Sequence, residues 1–283
     1  MTLATLRDVL QPALEGGYAV GGLVCLGWED ARAYTRAAEA EGVPVILQAG
    51  PSCRAHTPIP VLAAMFRSLA EAADVPVVAH LDHGYSMEEC REAIAAGFTS
   101  VMYDGSQKPL AQNIEETAEI AALAHAAGIS CEGEIGFVGY AEGAASRGTD
   151  PGEAARFARE SGVDAMAISV GNVHLQEAQE GGLDEARLRA IEAVTDLPLV
   201  IHGGSGVPVA QRTALAQGSA VCKFNIGTEL RMAFGAALRE TLAADPARFD
   251  RVQILREVET PLEAAARRVL RALGPARAEA TRA

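Results

Sequence analysis

Histidines follow several of the short apolar segments of this chain. Of the six histidines, four lie at the end of such a segment or just after it: His80, His83, His174 and His202. Three imidazoles that meet at one place suit zinc and leave a coordination position open for a substrate oxygen, where the ion polarises a carbonyl. We therefore predict that His83, His174 and His202 bind one zinc ion. His80, two residues before Asp82, is predicted to support the site as a neighbour.

Two glycine-rich turns follow the last two apolar segments. They read His202-Gly203-Gly204-Ser205-Gly206 and Asn225-Ile226-Gly227-Thr228. Such turns bind phosphate through backbone N–H groups when a helix begins directly after them. An ordinary tight turn between a strand and a helix also contains glycine, so the position of these turns favours phosphate binding more than their composition does.

The elements that must position these residues are eight apolar, β-branched runs with helical segments between them. Continuous apolar strands that alternate with helices predict a parallel sheet covered on both faces. Predicted helices include 30–41, 88–96, 113–127 and 261–273, with starts at Ser86, Asp150 and Thr260. The predicted strands are 18–26, 44–49, 76–82, 100–103, 129–134, 165–170, 198–201 and 221–226.

Eight repeats predict a single (β/α)8 barrel, an α/β fold, that spans residues 1–283 with a frayed tail at 276–283. An open doubly wound sheet is the alternative, but no GxGxxG motif follows the first strand. In barrels the active site lies at the carboxyl ends of the strands. The histidines and the glycine-rich turns all belong to that rim in this interpretation.

The bulk composition restricts the partners. The net charge is −13 and no basic cluster is present, which argues against nucleic acid and anionic membranes as partners. No apolar run approaches the roughly 18 residues that span a bilayer. The five cysteines form no CxxC pair, and the N-terminal residues lack a secretory signal, so we expect a cytoplasmic protein.

Taken together, these segments resemble the class II, zinc-dependent fructose- and tagatose-bisphosphate aldolases over nearly the whole chain. The most specific pair is His80-Leu81-Asp82-His83-Gly84 with Met102-Tyr103-Asp104-Gly105-Ser106. The other matching segments are 17–20, 44–48, 132–134, 202–206 and 225–230.

The resemblance implies a role for each matching residue. Asp82 would exchange a proton with the hydroxyl that becomes the aldehyde carbonyl, and Glu142, in the glycine- and alanine-rich loop 139–148, would move the proton on the donor carbon. Asp104 and Glu134 match a second metal site. The phosphate of the dihydroxyacetone phosphate half, and with it a monovalent cation in many relatives, would lie against Gly203, Ser205, Asn225, Gly227 and Thr228. Relatives are homodimers or homotetramers, and we expect the same here.

Other interpretations remain open at this point. The alternative interpretation of Glu142 is a solvated surface residue without a catalytic role. A Schiff-base aldolase needs an activated lysine, for which only Lys108 and Lys223 are available, and it would leave the histidine cluster without a purpose. A metal-dependent sugar-phosphate isomerase, epimerase or hydrolase would use the same strand-end residues. A non-catalytic sugar-phosphate-binding protein is a further alternative.

Three departures from the family pattern concern the substrate. The stretch that holds an asparagine in relatives reads Gly21-Gly22-Leu23-Val24-Cys25. A serine that serves the phosphate on the aldehyde half in some relatives is replaced in Gln48-Ala49-Gly50. Leu175, instead of glycine, follows the zinc histidine His174. We therefore hypothesise that the reaction class is retained while the substrate differs from fructose 1,6-bisphosphate.

Overall fold

The computed structural model describes residues 2–179 and 182–275. Within these ranges eight parallel strands pair side by side, and the ring closes because β2 pairs with β9 and β4 with β5. The predicted barrel is therefore confirmed. Its strands are β2 (Val20–Val24), β3 (Val45–Ala49), β4 (Val77–Gly84), β5 (Ser100–Tyr103), β6 (Ser130–Ile135), β7 (Ala165–Ile168), β8 (Leu199–Ile201) and β9 (Val221–Ile226).

The strand boundaries agree closely with the predicted runs, and the differences lie at the ends. β5 and β9 match the prediction, whereas β4 continues two residues further than expected and so carries His83 within the strand. The prediction of one domain over 1–283 stays a prediction. Its proposed tail, 276–283, lies outside the described residues.

The lower end of the barrel is closed by two elements that the sequence patterns did not reveal. A two-residue strand, β1 (Leu3–Ala4), pairs with the start of β4, below the point where β5 begins. Helix α1 (Leu6–Gly16) follows, capped by Thr5 and Asp8, which bond to each other's backbone N–H groups. Its buried residues pack against apolar side chains at the bottom of the barrel and form an apolar plug.

The remaining helices cover the outside of the barrel, and a second apolar cluster fills the space between them and the strands. Among the described residues no helix combines the length and apolar character needed to cross a bilayer. The helices are α2 (Trp28–Glu41), α3 (Pro51–His56), α4 (Ile59–Ala72), α5 (Met87–Ala96), α6 (Leu110–Ala126), α7 (Pro151–Glu160), α8 (Glu185–Glu192), α9 (Val209–Gly218), α10 (Thr228–Ala244) and α11 (Arg251–Leu273).

Two of the three predicted helix starts are confirmed. Ser86 Oγ accepts a hydrogen bond from Glu89 N at 3.1 Å, and Asp150 Oδ1 accepts one from Glu153 N at 2.9 Å. The Ser86–Glu89 capping box is only half formed, however, because the Glu89 carboxylate accepts from Tyr85 N instead.

The third predicted start, at Thr260-Pro261, is wrong. α11 begins at Arg251, capped by Asp250, and Pro261 lies inside it. Proline is disfavoured in a helix interior because it lacks the backbone N–H group and its ring clashes with the preceding turn. Here the helix continues because residues on both sides of Pro261, such as Val258 and Leu262, are buried against α2 and α10. α11 therefore covers the outside of the barrel.

Candidate active site

A bulge in β4 brings two adjacent residues into the barrel. Alternation along a strand sends Asp82 inward and would send His83 outward. The register between β4 and β5 shifts between Leu81 and Gly84, and His83 adopts a left-handed backbone conformation with φ 51°. Bulges commonly re-aim side chains beside active sites. The carboxylate of Asp82 and the imidazole of His83 consequently both lie in the site, and both residues are buried.

The strained end of β4 is held by Arg54, a residue that the sequence analysis missed. Its guanidinium donates to the carbonyl oxygens of Ala49 (2.5 Å), Asp82 (2.6 Å) and His83 (2.8 Å), and it also pairs with the carboxylate of Glu89. A non-glycine residue at positive φ persists only where its surroundings enforce it. Arg54 supplies that constraint. No local sequence motif predicts this role, because all but one of the groups that accept from Arg54 are backbone carbonyl oxygens.

The three predicted zinc ligands meet above the centre of the barrel. One ligand atom from each of His83, His174 and His202 lies within 4.8 Å of the other two. The Nε2 atom of His83 and the Nδ1 atom of His202 are 3.0 Å apart, and the Nε2 atom of His174 is buried without a hydrogen-bond partner. Such groups are rare unless a ligand completes them. The donor set of three imidazoles therefore fits a divalent ion such as zinc.

Carboxylates orient two of these rings. Asp104 Oδ2 lies 2.7 Å from His83 Nδ1, and Glu132 Oε1 lies 3.0 Å from His202 Nε2. Glu132 in turn binds the ammonium group of Lys223 at 2.6 Å, and all three of Glu132, Lys223 and His202 are fully buried. A carboxylate on the far nitrogen fixes the ring and leaves the other nitrogen free for a metal. Glu132 was not among the predicted site residues.

The neighbouring charges shift the ionisation of the rings in opposite directions. Burial, and then the charge on His83, hold the pKa values of His174 and His202 well below the ordinary value. Burial also opposes protonation of His83, but the carboxylates of Asp82 and Asp104 outweigh it and raise the pKa of His83 to about 10. A metal ion needs the neutral ring, so binding would displace this proton.

Asp104 and Glu134, predicted for a second metal, lie on the other side of His83. One ligand atom from each of the three residues lies within 4.8 Å of the others. Asp104 is already bonded to Ser106 and His83, and hydrogen bonding to His83 lowers its pKa against the effect of burial. Burial, and then the charge on Asp104, raise the pKa of Glu134 well above its ordinary value, and its Oε2 atom has no partner. The second metal site stays a prediction.

His80 does not touch the three convergent rings. Its Nδ1 atom lies 2.8 Å from Ser100 Oγ, and its Nε2 atom lies 3.4 Å from Lys223 Nζ. His80 therefore supports the Lys223–Glu132 pair, which in turn orients His202. It is separated from the predicted metal ligands by this pair, whereas the sequence predicted a direct neighbour. Burial, and then Lys223, lower its pKa.

Asp82 is fixed by two amides from neighbouring strands. Its Oδ1 atom accepts from Gln48 Nε2 at 3.1 Å and from Asn225 Nδ2 at 3.0 Å. The amide oxygens of Gln48 and Asn225 are both buried without partners. A side chain at Gly22 would collide with them, because a β-carbon there would lie 2.5 Å from Gln48 Oε1. The departure at Gly22 thus leaves the space that the Gln48 amide occupies beside Asp82.

The five predicted phosphate ligands line one cavity together with Asp82, His83 and His174. Gly203 has φ 64°, and a β-carbon on it would lie 2.2 Å from the Val173 carbonyl oxygen, so only glycine fits. Ser205 Oγ accepts from the backbone N–H groups of Gly227 and Glu229, both at 3.3 Å. Ser205 thus caps the start of α10, and this helix N-terminus borders the cavity through Gly227 and Thr228.

Leu175 and Glu142 border the cavity in different ways. Leu175 keeps a left-handed backbone, with φ 61°, and its side chain is 52% exposed in the cavity wall. Glu142 is exposed and lines an adjacent groove, which shares Leu175, Thr228 and Arg231 with the cavity. The loop that carries Glu142 is joined to the His174 segment, because Ala141 N donates to His174 O at 3.0 Å. The structure thus does not bring Glu142 into contact with Asp82.

Neither lysine is placed for a Schiff base. Lys223 points into the barrel, as its strand position allowed, but it is fully buried and bound to Glu132. Lys108 pairs with Glu116 and lies near Tyr103. Neither residue lines the cavity that contains Asp82.

The comparisons with known proteins agree with this geometry. Residues 4–277 match the family model described as fructose-bisphosphate aldolase class-II. A fructose-bisphosphate aldolase from Geobacillus stearothermophilus is 38% identical over 263 residues, which is 90% of this chain and 91% of that protein. A 6-phospho-5-dehydro-2-deoxy-D-gluconate aldolase from Shouchella clausii is 37% identical over 283 residues, covering 98% and 96% of the two chains.

A solved structure gives the same result. The YdjI aldolase from Escherichia coli superposes with a TM-score of 0.84 at 30% identity, covering 96% of this chain and 98% of that one. Enzymes of this family are carbon–carbon lyases that act on small sugar phosphates and in general depend on a metal ion. The matched range contains the convergent histidines and Asp82, and the resemblance drawn from the motifs is confirmed: the chain belongs to the class II fructose-bisphosphate aldolase family.

Proposed function

We propose that this class II aldolase uses zinc, held by His83, His174 and His202, to cleave a ketose phosphate other than fructose 1,6-bisphosphate. The observation that carries the proposal is the meeting of three imidazole nitrogens beside Asp82, with the far nitrogens of His83 and His202 fixed by carboxylates. Nitrogen donors favour zinc over magnesium or calcium, which prefer oxygen. When bound, the ion supplies positive charge beside the ketone oxygen and stabilises the developing enolate.

The residues of the chain supply the proton transfers. Asp82, fixed by Gln48 and Asn225, takes the proton from the hydroxyl on the carbon that becomes the aldehyde. Glu142 delivers a proton to the donor carbon, which requires loop 139–148 to move from the adjacent groove over the cavity. The glycine turn at 203–206 and the start of α10 hold the donor phosphate.

Several accompanying assignments belong to the same proposal. The donor product is dihydroxyacetone phosphate, and a monovalent cation accompanies its phosphate. Asp104 and Glu134 hold a second metal ion. We also propose a homodimer or homotetramer and a cytoplasmic location.

The test combines metal analysis with a substrate screen. The purified protein should contain about one zinc per chain, lose activity with chelator and regain it with added zinc. A panel of ketose mono- and bisphosphates is assayed for release of triose phosphate and a second carbonyl product. Interconversion of ketoses without cleavage would indicate an isomerase or epimerase instead. Borohydride trapping of a lysine adduct would support the Schiff-base route, and turnover of fructose or tagatose bisphosphate at an ordinary aldolase rate would defeat the substrate hypothesis.

The role of Glu142 has a matched control in the same groove. Glu142→Gln should lower kcat by about 100-fold or more, because a general acid–base residue contributes on that order. Glu177 lines the same groove, and Glu177→Gln should leave kcat within about twofold, since no role is assigned to it. Equal effects of the two substitutions would show that only the charge of the groove matters.

A further inference from the structure

Among the described residues that line the cavity, Arg231 is the one arginine or lysine. The residue lies in the first turn of α10, directly above the predicted phosphate site. Its Nη2 atom donates to Thr228 Oγ1 at 3.2 Å, and a β-carbon on Gly227 would lie 3.4 Å from its Nη1 atom. The guanidinium therefore stands beside the turn at Gly227 and Thr228 that borders the cavity.

This guanidinium is not neutralised by an ion pair within the described part of the chain. The nearest acidic influence comes from Asp30, whose carboxylate is engaged with the backbone N–H groups of Leu26 (2.8 Å) and Gly27 (3.0 Å). Within the described residues this half-buried arginine bonds to one side chain, the Thr228 hydroxyl, and it is therefore suited to a planar, bidentate bond with an anion. In a chain with net charge −13, such a local cation is needed to attract a phosphate.

The side of the rim opposite α10 is built differently. In the ring of eight strands β9 lies across from β5, and Tyr85 and Tyr140 follow β4 and β6, the strands on either side of β5. The two tyrosine side chains lie close to each other, and both line the cavity. Their rings stack on His83 and His174 with centroids 6.1 and 5.0 Å apart. The tyrosines thus present hydroxyl groups and ring edges, without charge, to the cavity.

Among the residues that the structure describes, no basic side chain with free N–H groups lies near this part of the cavity. The cavity is also lined by the uncharged residues Val24, Gly50, Pro51 and Ser52. Arg54 lies close by, but its side chain is 4% exposed and its N–H groups are engaged with three carbonyls and Glu89. A second phosphate on this side would therefore lack an arginine or lysine partner with free N–H groups among the described residues.

We infer, resting on the proposed aldolase function, that the substrate carries one anionic group, a phosphate bound by Arg231, and that the aldehyde half is uncharged and bears hydroxyl groups. The enzyme is then a ketose monophosphate aldolase. A bisphosphate substrate would place a second phosphate where the cavity offers tyrosine hydroxyls and Ser52.

The test uses the full-length, zinc-loaded enzyme in the direction of synthesis. Dihydroxyacetone phosphate is condensed with aldehydes matched in carbon skeleton, D-glyceraldehyde against D-glyceraldehyde 3-phosphate, and with glycolaldehyde and a carboxylated aldehyde. The uncharged aldehydes should have kcat/KM values about tenfold or more above their charged counterparts. A charged aldehyde that is used equally well or better would overturn the inference, and would mean that a cation reaches the cavity from elsewhere.

A half-reaction separates this outcome from failure of the proposed function. A class II aldolase exchanges the donor-carbon proton of dihydroxyacetone phosphate with deuterated solvent when no aldehyde is present. Absence of both exchange and condensation would defeat the aldolase proposal. Exchange with a preference for charged aldehydes would defeat only the inference about the substrate.

Substitutions on α10 test the role of Arg231. Arg231→Gln should weaken the binding of dihydroxyacetone phosphate in titration calorimetry by about 10- to 100-fold, and Arg231→Lys by less, because lysine keeps the charge but loses the bidentate geometry. Arg239 lies two turns later on the same helix and lines the adjacent groove but not the cavity. Arg239→Gln should bind within about twofold of the parent, and unchanged binding in Arg231→Gln, with the fold shown intact by circular dichroism, would refute the assignment.

Discussion

The two ends of the barrel interior differ in polarity. The lower end is apolar, with Leu10 and Val9 of α1 packed under Ile46, Val78 and Val200 from the strands. The upper end holds buried charges and imidazoles. Its fully or almost fully buried polar residues include His80, Glu132, Glu134, His202 and Lys223.

This contrast separates the requirements of stability from those of function. Apolar burial is non-directional, so the lower end needs only volume and shape to stabilise the fold. Each polar group at the upper end needs a partner, since an unsatisfied buried group is costly. Four of the groups there that lack one are His174 Nε2, Glu134 Oε2, Gln48 Oε1 and Asn225 Oδ1. All four border the place where metal and substrate are proposed to bind.

The largest expected difference between the two ends concerns activity. His202→Ala at the upper end should abolish zinc binding and lower kcat/KM by at least about a thousandfold, because the ion contributes several kcal/mol to the transition state. His125, which pairs with Asp164 at 3.0 Å near the lower end, serves as the matched control. His125→Ala should keep both zinc content and kcat/KM. Zinc retained at full occupancy in His202→Ala would rule out the proposed ligand set.

Removing volume from the lower end should affect stability instead. Leu10 is 1% exposed within the apolar plug. Leu10→Ala should lower the free energy of unfolding by about 2–5 kcal/mol, since truncation of a buried leucine leaves a cavity. Urea denaturation measures this change. The kcat of the folded fraction should be unaffected, and a large fall in kcat would show that the two ends are coupled.

Breaking the Glu132–Lys223 pair should affect both properties. Glu132→Gln should weaken zinc binding by about 10- to 100-fold, because His202 loses the carboxylate that orients it. It should also destabilise the fold by about 3–5 kcal/mol, because Lys223 stays buried without its counter-ion. The double variant Glu132→Gln/Lys223→Met should recover stability but not zinc affinity. Recovery of both would assign Glu132 a purely structural role.

The raised pKa of His83 predicts a pH dependence. With a pKa of about 10 in the folded protein against about 6.5 when unfolded, the protonated ring stabilises the metal-stripped fold fully below pH 6.5. This stabilisation is lost as the pH rises through 10. Zinc must displace the proton, so its affinity should rise about tenfold per pH unit from 7 to 9.5. Competition with a chelator of known affinity measures this slope, and a flat profile would contradict the raised pKa.

The smallest expected effect concerns the strained residue in the cavity wall. Leu175→Gly removes the cost of a positive φ but increases the entropy of the unfolded chain. Because the leucine side chain is half exposed, the free energy of unfolding should change by less than about 1 kcal/mol. Differential scanning calorimetry detects this change. A loss above 2 kcal/mol would show that Leu175 packs as a core residue.

The sequence alone determined that the fold is a barrel and which residues lie at its upper rim. Eight apolar runs with helices between them allow few other folds, and parallel strands place all their carboxyl ends on one side. For that reason His174, His202 and the glycine turns were predicted to meet although they are distant in the chain. The predicted strands were accurate because fully buried strands are continuous apolar runs, whereas β1 is too short to leave a pattern.

Only the tertiary structure decided how each side chain is held. The inward turn of His83 depends on a bulge against β5, and the pairing of Glu132 with Lys223 joins residues 91 positions apart. Arg54 acts on the backbone carbonyl groups of Asp82 and His83, which closure of the barrel brings to it. Pro261 remains helical because its neighbours are buried. These contacts depend on register and long-range packing, which local patterns do not encode because the partners meet only after the ring of strands has closed.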